Sequence, residues 1–148
     1  MIKYIKYLCA KGLYKAGKLE KAKRILVKID DEKSKKIKML LININLELHG
    51  LSKAKEDIIT ILKLTTNGTR TKLKIANKIL KLNYKTKANS EIEFKYALNL
   101  LKNENNYIAD VLGTKAALNM FLDNTDKAIK QLKQVYKLDE DSKQLFII

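Results

Sequence analysis

The sequence predicts an all-α fold built from antiparallel helix pairs, on three observations. The 148 residues contain no proline, so the strongest helix breaker is absent. Apolar residues recur at three- and four-residue steps through eight successive segments separated by short polar breaks. A local pattern also returns along the chain: an apolar helix end, a short polar turn, an alanine, then further apolar positions. "LYKAGKLEKAKRIL" is echoed by "LELHGLSKAKEDII" and "MFLDNTDKAIKQL". Ala22 and Ala54 are 32 residues apart, and Ala54 and Ala128 are 74 apart, or two steps of 37. Periods of this size with two helices each mark a helical-pair solenoid.

Each segment has its own reason to be helical. The first runs from about Ile2 to Ala16, with Ile5, Leu8, Cys9 and Leu13 at helical spacing; Gly17 interrupts it. The second, Leu19 to Ile29, carries Ala22, Ile25, Leu26 and Ile29 on one face. "DDEKS" then turns the chain, and its acidic residues suit the positive end of the next helix. The third, Lys35 to Leu48, is apolar on two faces and is expected to be covered from two sides. Gly50 ends it and Ser52 is a candidate cap for the fourth, which runs to about Leu64. "TTNGT" is the clearest turn. A fifth helix covers about Arg70 to Asn83, and a sixth starts near Ser90, which has capping-box spacing to Glu93. The seventh spans about Tyr107 to Leu122. The eighth spans about Asp126 to Leu138 after a Thr125 cap, and residues 139–148 are expected to add a short terminal helix ending in "LFII". Loops of two to six residues make neighbouring helices antiparallel. The whole reads as one domain, 1–148, with approximate repeats 1–33, 34–67, 68–103 and 104–138 and a cap at 139–148.

The repeated residues resemble the tetratricopeptide repeat (TPR) family. That family has a small residue in its first helix, a large one later, a glycine at the turn, an aromatic soon after it and an alanine in the second helix. In the first repeat these roles fall on Ala10, Leu13, Gly17, Leu19 and Ala22, with a later large position at Leu26. In the fourth, Ala116 is the small residue, Asp123 stands where the glycine would be, and Ala128 is the alanine. The second repeat matches through Leu46, Leu51 and Ala54, with a turn about one residue short. The third turn, "YKTKANS", lacks a clear glycine, leaving Ala88 or Ser90 as its small residue. The closing proline and the tryptophan-like anchor of the family are both missing. The resemblance implies a right-handed superhelix whose first helices line a concave side that binds extended peptides.

Composition restricts the chemistry. The chain is 46% hydrophobic and 32% charged, a globular profile. No apolar run approaches the length of a membrane span, and the charged first residues lack a signal-peptide core, so a cytoplasmic protein is expected. Cys9 is the single cysteine, which excludes an intrachain disulfide and a cysteine zinc cluster; it is expected to be a buried hydrophobe on the first helix. His49, the one histidine, sits at a helix end as a surface or capping residue. Glu91 and Glu93 are two residues apart and do not share a helical face. Asp30, Asp31 and Glu32 lie at a helix start, where carboxylates have a structural use. No phosphate-binding glycine loop, metalloprotease helix or calcium loop occurs. The expectation is a protein that is not an enzyme, with no cofactor, no metal and no catalytic residue.

Binding is better motivated. The net charge is +15, and it is uneven: residues 1–50 hold 13 Lys/Arg against 5 Asp/Glu, 51–100 hold 11 against 4, and 101–148 hold 7 against 7. Such a basic region attracts acidic protein, nucleic acid or anionic lipid. Carrying the family's groove positions onto the first repeat gives Tyr4, Tyr7, Lys11, Tyr14 and Lys15, all on one side of the first helix. Three tyrosines and two lysines make a recognition surface for an acidic peptide or protein. The alternative for the tyrosines is packing under a neighbouring helix. Two other functions stay open. Tyr and Lys also suit single-stranded RNA or DNA, although only Arg24 and Arg70 are arginines. Self-assembly is the third, through Met120, Phe121 and Leu122 or the apolar terminus.

Overall fold

The computed structural model describes residues 2–65, 68–83, 90–104 and 108–146, with side chains for all of these except 83, 90 and 139–146. Among the described residues there are eight α-helices: α1 (Ile2–Lys15), α2 (Leu19–Ile29), α3 (Lys35–His49), α4 (Leu51–Leu64), α5 (Thr69–Asn83), α6 (Ser90–Leu100), α7 (Ile108–Phe121) and α8 (Thr125–Phe146). They form four contacting pairs, α1–α2, α3–α4, α5–α6 and α7–α8. The chain divides into two compact units, Met1–Thr66 and Asn67–Ile148.

In the first unit, α1 ends at a left-handed glycine. Gly17 has φ +81°, its N–H donates to the Tyr14 carbonyl at 3.0 Å, and the Lys18 N–H donates to the Leu13 carbonyl at 2.9 Å. This pair of bonds is the Schellman closure, which satisfies carbonyls that the helix end would otherwise orphan. α7 ends the same way at a different residue. Asp123 takes φ +64°, its N–H donates to Met120, and the Asn124 N–H donates to Asn119 at 2.8 Å. The turn that the sequence pattern equates in the first and fourth pairs is therefore one conformation, with aspartate in the glycine's place.

The α3–α4 turn is shorter. Gly50, at φ +82°, closes α3 by donating to the Asn45 carbonyl and stands directly before Leu51, the first residue of α4. Ser52, expected as a cap, is thus inside α4, because one glycine serves both helix ends. The acidic run before α3 also differs from expectation. Ser34 caps α3, accepting from the Ile37 N–H at 3.4 Å, while Asp31 closes the preceding turn by accepting from the Lys33 N–H and binds Lys3 of α1 at 2.9 Å.

The core of the first unit is Ala10 of α1, Ala22, Leu26 and Ile29 of α2, and Ile37, Leu40, Leu41 and Ile44 of α3. Ala10 and Ala22 are fully buried, and alanine there lets α1 and α2 approach closely. α3 is covered on both faces, as its two apolar stripes require. In the second unit Ala76 and Ala97 are fully buried in the third pair, as are Ala116 and Ala128 in the fourth. The Phe94 and Phe121 rings meet with centroids 5.5 Å apart. Ala97 supplies a small buried residue in the second helix of the third pair. Ala88 and most of "YKTKANS" lie outside the described residues, and Ser90 is the first residue of α6.

The C-terminal segment departs from expectation. No separate terminal helix follows residue 138; α8 continues unbroken to Phe146. "KLDEDSKQLF" contains no glycine or proline, and a single Asp or Ser costs a helix only tenths of a kcal/mol, roughly 0.5. No described helix is long and apolar enough to cross a membrane.

Candidate functional site

The five residues expected to form a recognition surface sit on α1 at two depths. Tyr4, Lys11 and Lys15 are exposed, Tyr4 at 58%. Tyr7 and Tyr14 are half-buried and pack on the hydrophobic core of the first unit beside Ala10. The tyrosines therefore divide between a solvent-facing ring and two rings that help to support it.

A groove opens beside Tyr4. Lys3, Tyr4 and Tyr7 of α1 form one wall, and Ser34, Lys36 and Ile37 at the start of α3 form the other, around a cavity volume of about 290 Å³. That volume is at the small end for a ligand pocket and suits one side chain of a longer partner. Its position follows from the repeat. Tyr4 and Lys36 are 32 residues apart, so they occupy the same place on successive first helices. Lys11 and Lys15 continue the side of Tyr4 along α1 by two- and three-turn steps. Lys3 is engaged by Asp31, whose carboxyl its ammonium holds below the usual range, together with the Lys33 N–H. Among the described residues, no carboxylate pairs with Lys11, Lys15 or Lys36. The arrangement offers three cationic tips and a phenol beside a small apolar floor of Tyr7 and Ile37.

A buried charge anchors α3, which forms one wall. The Lys38 ammonium, on α3, bridges Asp30 at the end of α2 (2.9 Å) and Asp57 of α4 (3.2 Å). Burial pulls this ammonium down, but its hydrogen bonds to Asp30 and Asp57 outweigh that and hold it above its ordinary value. The lysine thus ties α2, α3 and α4 together.

The corresponding surface of α3 carries Lys36, Met39, Asn43 and Glu47, of which Lys36 and Glu47 are exposed. Carried onto the fourth repeat, the same family positions fall nearest Lys115 and Asn119 of α7. Asn119 is instead buried at 1% exposure, donating from Nδ2 to Gln131 Oε1 at 2.9 Å. It sits 106 residues after Leu13, a core position, so it pins α7 to α8 and takes no part in a surface.

Three other residues are placed differently from expectation. Cys9 is exposed. Ile5 and Leu8, two more members of the stripe expected to face inward, are 53% and 46% exposed. The core instead takes Ala10 with the half-buried Tyr7, Leu13 and Tyr14. Helical spacing finds an apolar stripe but cannot say which of two stripes faces the partner helix. The repeat does not separate them: at a shift of 32 residues Tyr7 and Tyr14 answer to Met39 and Leu46, while Ile5, Leu8 and Cys9 answer to the equally apolar Ile37, Leu40 and Leu41. Among the described residues, no group of three or more His, Cys, Asp or Glu stands close enough to hold a metal ion. No protein-family model matches the chain, and no curated protein sequence matches it.

Proposed function

We propose that this chain is a TPR-like module, a right-handed superhelix of helix pairs, that binds an acidic peptide or protein segment along the side shared by α1 and α3. The observation that carries the reading is the groove between Tyr4 and Lys36, prolonged by Lys11 and Lys15, with which no carboxylate among the described residues pairs. A partner carboxylate gains a charge-assisted hydrogen bond at each lysine. The Tyr4 ring adds contact area and a polar tip at low entropic cost. The repeated architecture supports the same reading by analogy, since helical-pair solenoids use their first helices as binding surfaces. The role is that of a cytoplasmic adaptor without catalysis.

The test is fluorescence anisotropy with a labelled Asp/Glu-rich dodecapeptide and, in parallel, a labelled single-stranded oligonucleotide, each over a salt series. The peptide is expected to bind, and Tyr4→Ala/Lys11→Ala/Lys15→Ala is expected to weaken it at least about tenfold. Peptide affinity unchanged in that variant removes this surface from the account. Tighter, steeply salt-dependent binding of the oligonucleotide alone replaces the peptide reading with a nucleic-acid one, which the +15 charge favours.

A further inference from the structure

We propose that the exposed apolar face of α1 is a docking surface for α8 of a second copy of this chain, joined head to tail by the packing that already links the two helix pairs of each unit. The inference is independent of peptide binding, which uses another side of α1.

The α1 face consists of Ile2, Ile5, Leu8, Cys9, Gly12 and Ala16, all exposed. No lysine or acid interrupts it. A repeat face that a solenoid leaves to solvent is polar, and this one is not. The same positions are covered wherever a preceding pair exists in the same unit. Shifted by 32 residues, Ile5, Leu8, Cys9 and Gly12 become Ile37, Leu40, Leu41 and Ile44, at 4%, 6%, 3% and 0% exposure. Those residues pack with Ala22, Leu26 and Ile29 of α2. Shifted by 106, Ile5, Leu8 and Gly12 become Val111, Thr114 and Leu118, again buried. The Thr114 hydroxyl donates to Asn77 Oδ1 of α5 at 3.1 Å, so there too the preceding pair provides the cover. The face of α1 is therefore the leading surface of a repeat, left open.

The chain also carries the mate of that surface. α2 covers α3 through Leu26, which is fully buried. Leu132 of α8 stands 106 residues after Leu26 and is 49% exposed. Ile129 and Tyr136 flank it at helical steps, at 44% and 66% exposure. This is what points to a second copy as the occupant: Leu132 repeats Leu26 of the α2 face that covers α3, with Val135 in the place of Ile29, and Leu132 is open where Leu26 is covered. The shift also pairs individual residues. Asp30 of α2 meets Lys38 of α3 at 2.9 Å. Their equivalents in the docked pair are Tyr136 of one copy and Lys6 of the other, both exposed. A lysine ammonium over a tyrosine ring is an attractive contact of its own. Each copy uses two different faces, so the association is heterologous and extends or closes into a ring.

Sedimentation velocity across a wide concentration range tests this. The wild-type chain is expected to associate progressively. Leu8→Glu and Leu132→Glu, both at exposed positions, are each expected to remain monomeric with unchanged helicity by circular dichroism. An equimolar mixture of the two is expected to form dimers and nothing larger, because it restores one α1 face and one α8 face. Ile5→Lys and Ile129→Lys repeat the experiment with the opposite charge. A wild-type chain that stays monomeric throughout overturns the proposal, as it would if the face served a different protein. So does self-association by Leu8→Glu alone, or a mixture that stays monomeric.

Discussion

Gly12 and Gly17 lie five residues apart and are expected to respond to alanine with opposite signs. Gly17 holds φ +81° at the end of α1, and a Cβ there would meet nothing within 4 Å, so the penalty is purely conformational. Gly17→Ala is expected to destabilise the protein by about 1 kcal/mol, read as a lowered urea midpoint. Asp123, at φ +64°, occupies the matching turn, and Asp123→Gly is expected to raise stability by up to about 1 kcal/mol. Gly12 is helical with open space around it, so Gly12→Ala is expected to stabilise the monomer by about 0.5–1 kcal/mol. At this scale the sequence was informative about turns. The equivalence of Gly17 and Asp123 was legible from the alanine five residues after each. The exposure of Cys9 was not, because periodicity marks an apolar residue without saying which neighbour covers it.

Lys38 governs the element scale, since three helices of the first unit converge on its ammonium. Lys38→Ala removes two charge-assisted bonds and leaves Asp30 and Asp57 partly buried without their partner. A loss of about 2 kcal/mol is expected, seen as a shifted denaturation midpoint. The pH dependence follows from the direction of its shift. A lysine raised above 10.5 in the folded state contributes its full stabilisation below that value. The contribution disappears as pH climbs through the raised folded value, so loss of stability at strongly alkaline pH is expected to be smaller in Lys38→Ala.

In the second unit, Glu104 accepts from Lys72 and Thr69 of α5, and these bonds hold its carboxyl below 4.5. Its stabilisation is complete above 4.5 and falls as pH drops through the lowered folded value. Glu104→Gln is therefore expected to flatten the acid limb of the stability profile. Helix positions were nearly all legible, within one or two residues, from apolar spacing and breakers. The continuous α8 was not, since an acidic run reads as a break although its residues tolerate a helix.

For the whole molecule, what could be read from sequence was the pairing, and what could not was which faces of the terminal helices stay open. Comparing α1 with α3 position by position resolves this. Ile5, Leu8, Cys9 and Gly12 are exposed where Ile37, Leu40, Leu41 and Ile44 are buried, although the two sets occupy the same place in the repeat. The fall in side-chain size from Leu41 and Ile44 to Cys9 and Gly12 was visible in the sequence, but it acquires meaning only once the shift of 32 residues is established. The surface proposed for acidic partners, at Tyr4, Lys11 and Lys15, is a separate side of the same helix, so the two activities are expected to be separable by mutation. One repeat interface is proposed to act within each unit and again between copies. Its most direct test is a dilution series followed by backbone amide chemical shifts. Concentration-dependent shifts are expected to cluster at Ile5, Leu8, Cys9 and Gly12 of α1 and at Ile129, Leu132 and Tyr136 of α8. Shifts confined to α1, or a spectrum that does not change with concentration, would contradict the account.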